Sequence, residues 1–314
     1  MTKLMKLTPD EERALARLEE KYEDIRIMTE LVAIGKSTGL YCYGWGGIGK
    51  SYTILQTLQG KGHKYQLLNT RLAAPGFAKT LEKQKKGLYV IEDTESVFDD
   101  RSCLNLLRSA WWGQRDAKTH KMRRPITYTT GHDNWNFDFE FEGGIIATGN
   151  RPLSDIPELQ AIRTRIRVYR LETERDEVLA VAHKIALGGF QSDTGILPAD
   201  KCLEIFEYYQ ANLPAAKSPD LRILAQAYDG HLGLQTLGKT DRWQRLLLAA
   251  IHESSQVTVE TPALRLANVD TIAADLRTKY GNGFEIILPE WKKLTGQGKT
   301  AYYDALKRLD KRRS

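Results

Sequence analysis

Residues 44–51 of this 314-residue chain read GWGGIGKS, with glycine at 44, 46, 47 and 49 directly before a lysine and a hydroxyl. Glycine accepts the backbone angles and the close approach that let successive N–H groups converge on an anion. The pattern G-x-x-x-x-G-K-[ST] predicts a loop for the phosphates of ATP. Gly44, Gly46, Gly47, Ile48 and Gly49 would wrap them, Lys50 would reach the β- and γ-phosphates, and the Ser51 hydroxyl would ligate Mg²⁺. Tyr52, in the first turn beyond the loop, is a further candidate contact to the nucleotide.

Two more stretches carry chemistry. In LYVIED, four apolar residues (Leu88–Ile91) deliver Glu92 and Asp93 to a strand end, where one carboxylate can hold Mg²⁺ and the other can orient water. The two are assigned to metal and water jointly. In IIATGNRP, Asn150 ends another apolar run and can hydrogen-bond a γ-phosphate or the attacking water. Farther on, AIRTRIRVYRLE carries Arg163, Arg165, Arg167 and Arg170. An arginine given to a neighbouring subunit's nucleotide stabilises charge on the transferring phosphoryl group.

These residues need elements to position them. The motif works only between a strand and a helix; GLYCYG before it is apolar and aromatic, and SYTILQTLQG after it has helical spacing. A long helix over 9–36 precedes, capped at Thr8 or Asp10 and stopped at Gly35. A strand at 64–69, a helix near 76–85, a strand at 87–95, a helix at 101–112, a hairpin at 126–141 and a strand at 143–150 follow. This alternation predicts a parallel sheet flanked by helices. Residues 173–252 read mostly as helix.

Composition bounds the function. Charged residues are 27% and hydrophobic ones 41%, with net charge +6, which fits a globular protein with no membrane partner. Apolar runs fall well short of the ~18 residues of a membrane span. The N-terminus turns acidic and helical rather than into a signal-peptide core. Cys42, Cys103 and Cys202 are far apart, without a C-x-x-C, which suits a reducing cytoplasm and excludes a zinc ribbon.

Taken in order, these motifs resemble the AAA+ ATPase family over about 40–250. Walker A matches at Gly44–Ser51, Walker B at Leu88–Asp93 with its acids in the order Glu then Asp, and the sensor-1 asparagine at Asn150. The arginine finger matches best at Arg165, with Arg163 second. The resemblance implies a helical lid, in which SPDLRILAQAYDG looks like the sensor-2 helix and places Arg222 over the γ-phosphate. It also implies ATP hydrolysis at subunit interfaces of a ring or filament. The expected division is 1–39 N-terminal helix, 40–171 α/β ATPase domain, 172–254 lid and 255–314 C-terminal module. Superfamily-3 helicases, with mixed acidic pairs, are a second relative; the lid favours AAA+.

Two basic segments bear on what such an ATPase acts on. Residues 113–125 hold Arg115, Lys118, Lys121, Arg123 and Arg124 against Asp116, net +4. They lead into a hairpin whose Phe137, Phe139 and Phe141 alternate, resembling the pre-sensor-1 hairpin of one AAA+ branch. From Glu290 to Ser314, eight basic residues face three acidic ones, net +5. LPEWKKLTGQGKTAYYDALKRLDKRR resembles the helix-turn-helix or winged-helix modules of DNA-directed AAA+ proteins. Lys299, Thr300 and Tyr302 would open a recognition helix, and Lys307 and Arg308 would flank it. The expectation is therefore DNA at Lys118, Lys121, Arg123, Arg124, Lys299, Tyr302, Lys307 and Arg308, in replication, recombination or transposition. A protein partner is expected too. The alternative is a protein-remodelling ATPase, although RLAAPGFAKTLEKQKKG matches its aromatic pore loop poorly.

Overall fold

The computed structural model describes residues 6–68, 73–92, 97–98, 100–119, 122–129, 136–153, 160, 162–215, 218–256, 273–274, 276–277, 287–289, 291–292 and 299–313. Asp93 and Lys121 lie outside them. The chain divides into two compact units, Met1–Ile251 and His252–Ser314.

In the first unit, five strands pair in parallel. β1 (Gly39–Gly44), β2 (Gln66–Leu68), β3 (Leu88–Ile91), β8 (Gly144–Gly149) and β9 (Arg167–Leu171) form one sheet of order β2-β3-β8-β1-β9. Because side chains alternate across a strand, each run feeds two cores. Tyr41, Tyr89, Ile145 and Ala147 face one; Leu40, Cys42, Leu88, Val90 and Ile146 face the other. Both faces must therefore be covered by helices.

The first face packs on α3 (Ala74–Lys83) and α4 (Arg101–Trp111), whose Phe77, Leu81, Leu107 and Trp111 are fully buried or nearly so. The second packs on α1 (Pro9–Ala33) and α2 (Lys50–Gly60) through Leu18, Ile25, Ile54 and Leu58. Each such side chain contributes about 1.5–3 kcal/mol on burial. Thr8 caps α1 in a capping box with Glu11.

Between α4 and β8 the chain makes two antiparallel pairs. β4 (Gln114–Arg115) pairs with β5 (Met122–Arg123), and β6 (Pro125–Tyr128) pairs with β7 (Phe137–Glu140). The Phe137, Phe139 and Phe141 alternation is explained by burial: all three enter the core over α3 and α4.

Beyond β9, α5 (Arg175–Gly188), α6 (Ala199–Asn212), α7 (Leu221–Thr236) and α8 (Trp243–Gln256) build a third core, which includes Phe206, Tyr209, Tyr228 and Trp243. A small hairpin interrupts them, β10 (Phe190–Ser192) with β11 (Gly195–Leu197); helical periodicity gave no sign of it, being only a few residues long. In the second unit, α9 (Lys299–Arg313) presents Tyr302 and Ala305 to Ile287 and Trp291. Among the described residues, no helix is long and apolar enough to cross a membrane.

Candidate nucleotide site

β1 ends at Gly44 and α2 begins at Lys50, so the glycine-rich loop is the turn between a central strand and a helix N-terminus. Gly47 and Gly49 have φ of 71° and 85°, a left-handed conformation that costs an L side chain about 1–2 kcal/mol. Space also demands glycine: a Cβ at Gly47 would lie 1.7 Å from Asp220 Oδ1, and one at Gly49 3.0 Å from the Tyr22 hydroxyl. The helix N-terminus adds its own positive end to the loop.

Lys50 is buried, its ammonium donating to Gly44 O at 2.8 Å and Trp45 O at 2.5 Å. The charge thus sits inside the loop. Ile48 is also buried, as part of the α1–α2 core, so any part it plays toward a nucleotide belongs to its backbone. Trp45 and Tyr52 are 59% and 68% exposed.

The acidic strand end follows from register. β3 does not neighbour β1; β8 lies between them, with Ile91 opposite Ala147 and Tyr43 opposite Gly149. Glu92 and Asn150 therefore emerge at the same, C-terminal edge of the sheet as the loop, one residue beyond their strands. Glu92 is tethered by its N–H to Leu68 O at 3.0 Å. The Ser51 hydroxyl lies 3.4 Å from the hydroxyl of Thr148, which is buried on β8. Thr148 was not singled out in the sequence, where it reads as one polar residue in an apolar strand.

Two supports come from distant sequence. The Tyr22 hydroxyl on α1 donates to Ile48 O at 2.9 Å. Burial, with the carboxylates of Glu19 and Glu177 nearby, pushes that hydroxyl up to about 12, so it stays a donor at neutral pH. From the other side, α7 is capped by Asp220, whose carboxylate accepts from the Arg222 N–H at 2.8 Å. The Leu221 N–H donates to Gly47 O at 3.0 Å, and a Cβ at Gly46 would lie 2.3 Å from the Arg222 guanidinium. The structure thus brings Arg222 to the loop across more than 170 residues of chain. Asp220, paired with Arg222 at 3.3 Å, is the neighbour that sequence reading missed.

Arg163 and Arg165 are placed elsewhere. β9 pairs with β1 in parallel, Arg167 opposite Leu40 and Leu171 opposite Gly44. Arg165 precedes β9, so it lies beyond the sheet edge opposite its own glycine loop, with about 13 Å of strand between Arg167 and the loop end. Its guanidinium carbon is 3.6 Å from the centroid of the Trp112 ring. Both arginines are exposed.

The expected DNA contacts divide. Lys118 is exposed in the β4–β5 connection, with its N–H on the Asp116 carboxylate at 3.0 Å. Arg123 pairs with Glu140 at 3.0 Å. Arg124 is a correction: it is 7% exposed, its guanidinium donating to Ala110 O at 2.7 Å and Gly143 O at 2.6 Å, over the Phe141 ring. Burial lowers its pKa to about 10. It clamps the β6–β7 pair to α4 rather than meeting a phosphate. Tyr302 is the second correction, 0% exposed and edge-on to Trp291 at 5.2 Å between centroids. Its amphipathic ring was core, not surface. Lys299 and Lys307 are exposed on α9; the Arg308 side chain lies outside the described residues.

Among the described residues no cluster of His, Cys, Asp and Glu could hold a metal ion, and Cys42, Cys103 and Cys202 are buried and form no disulfide. A magnesium ion at this loop would instead use the Ser51 hydroxyl with Glu92.

The sequence matches no known family description and no curated protein. Solved structures resemble it remotely. Drosophila ORC bound to DNA is 13% identical, with 100% of this chain and 88% of that one covered and a TM-score of 0.39. NtrX from Brucella abortus in complex with ATP is 14% identical, with coverage of 94% and 67% and a TM-score of 0.44. A DNA replication initiation factor is 11% identical, with coverage of 96% and 84% and a TM-score of 0.36. At these scores, what those proteins bind does not transfer to this chain.

Proposed function

We infer that this chain is a P-loop ATPase of AAA+ type that works as an oligomer on DNA. The observation that carries the nucleotide reading is the strand–loop–helix itself. Gly47 and Gly49 are left-handed, Lys50 is sequestered within the loop, and Ser51, Glu92 and Asn150 share the sheet edge. Bound ATP with Mg²⁺ supplies the phosphoanhydride bond whose hydrolysis the site would promote. Of the chain's own groups, the loop N–H groups and Lys50 would bind the phosphates, and Ser51 and Glu92 would hold the metal, with Asp93 in the family pattern. Asn150 would orient water, and Arg222 would neutralise the terminal phosphate from the lid.

Oligomerisation is supported by the position of Arg165. An arginine at the edge opposite its own loop serves a nucleotide only if a second copy presents it. DNA is supported by charge: Lys118 on the insertion and Lys299 and Lys307 on α9 are exposed cations on segments with net excesses of +4 and +5. The test is ATPase rate with and without DNA, alongside particle size with and without ATP. Lys50→Ala should lose nucleotide binding, and Glu92→Gln should bind ATP yet stall. Normal turnover in both variants would remove the site assignment; unchanged particle size and rate in both titrations would remove the oligomer and the DNA.

A further inference from the structure

The corner where α4 meets the insertion holds a cluster that the nucleotide site does not use. Trp112 follows the last residue of α4, and its ring lies beneath the Arg165 guanidinium at 3.6 Å, with the Arg108 guanidinium at 5.8 Å. Its neighbour Trp111 is rigidly fixed: the indole N–H donates to Ile145 O at 3.0 Å, and the Thr38 hydroxyl donates to Trp111 O at 2.8 Å. Ile145 and Thr38 lie at the start of β8 and just before β1, so this corner is anchored to the sheet edge opposite the glycine loop. On the arginine side, the Arg165 N–H closes a turn onto Ile162 O at 2.8 Å, between buried Ile162 and Ile166. The end of α4 and the turn before β9 therefore meet where the Arg165 guanidinium lies over the Trp112 indole.

We propose that Trp112 is the positioning residue for Arg165, a platform that holds this guanidinium ready for the nucleotide of a second copy of the chain; this rests on the reading of Arg165 as a finger given in trans. Stacking engages the face of a guanidinium, whereas its N–H donors point outward in the plane, so a stacked arginine can still grip a phosphoryl group. An unstacked arginine samples many rotamers, and ordering it would oppose the transition state. The indole removes that cost beforehand. The pair is also chemically selective, because lysine cannot stack as a plane and leucine offers no π-face.

The test is a double-mutant cycle on ATP turnover with Trp112→Leu, Arg165→Ala and the pair, with nucleotide affinity and ATP-dependent particle size measured on each. Trp112→Leu should lower kcat roughly 2- to 30-fold, with KM for ATP unchanged. Trp112→Phe should keep more of the rate, and the double variant should be no slower than Arg165→Ala. If Arg165→Ala is slow while Trp112→Leu turns over normally, the platform fails and the finger stands. If Arg165→Ala itself turns over normally, the finger reading fails instead. Losses that multiply in the double variant would also overturn the platform, since they would show Trp112 acting independently of Arg165. Should the leucine variant fold poorly, the same cycle with Trp112→Phe decides: its smaller loss must vanish in the Arg165→Ala background, and persistence there overturns the proposal.

Discussion

At the scale of the residue, the decisive facts concern which cations and aromatics reach solvent. Arg124 lies in the most basic stretch of the insertion, yet its donors end on two backbone carbonyls. Removing it strands those acceptors at about 1–3 kcal/mol each. Arg124→Met should therefore lower the thermal midpoint clearly while leaving the salt slope of any DNA binding unchanged. Lys118→Ala should do the reverse, flattening the slope by roughly 0.9 for a lost phosphate contact. A salt-binding titration and a melting curve on both variants separate the two roles. Tyr302 offers a parallel contrast. Its hydroxyl is buried without a partner among the described residues, so Tyr302→Phe should be neutral or slightly stabilising and should leave DNA sequence preference unaltered. A changed preference would restore the groove-reading role.

At the scale of the element, α1 is the unexpected participant in the candidate nucleotide site. It was legible as a helix but not as a brace. Lys21 bonds the buried Glu177 of α5 at 2.7 Å, and Arg17 reaches Asp176 at 2.7 Å, while Tyr22 holds the loop at Ile48. One helix thus ties the glycine loop to the helices beyond β9. Tyr22→Phe keeps the packing and removes one buried hydrogen bond, leaving Ile48 O unsatisfied. Nucleotide affinity should fall by roughly 5- to 10-fold, as a loss of about 1 kcal/mol implies, with little change in kcat at saturation. Equilibrium titration with a fluorescent ATP analogue measures the first and steady-state turnover the second. Unchanged affinity would show that the loop holds its shape without α1.

At the scale of the molecule, the sheet separates the two halves of the proposed chemistry. The glycine loop, Ser51, Glu92 and Asn150 lie at one edge, and Arg165 lies at the other. A protein built this way should complement itself in mixtures. Glu92→Gln and Arg165→Ala proteins, each nearly inactive alone, should regain part of the wild-type rate when combined, because some mixed interfaces then contain one intact site. The recovered rate should peak at an intermediate ratio. Absence of recovery at every ratio, with both variants still assembling, would place the arginine outside the catalytic machinery.

The glycine loop, its strand and helix, the acidic strand end and the alternating phenylalanines were all readable from sequence, because each is encoded within some ten residues by spacing and periodicity. Tertiary structure alone decided what those segments face. Tyr22 is 26 residues from Ile48, Thr148 is 97 from Ser51, and Asp220 reaches Gly47 from the far end of the unit; no local pattern encodes such pairs. The same limit explains Arg124 and Tyr302, since burial depends on what the fold brings alongside. A basic stretch shows where charge is, and only the packing around it determines which of those charges a partner can meet.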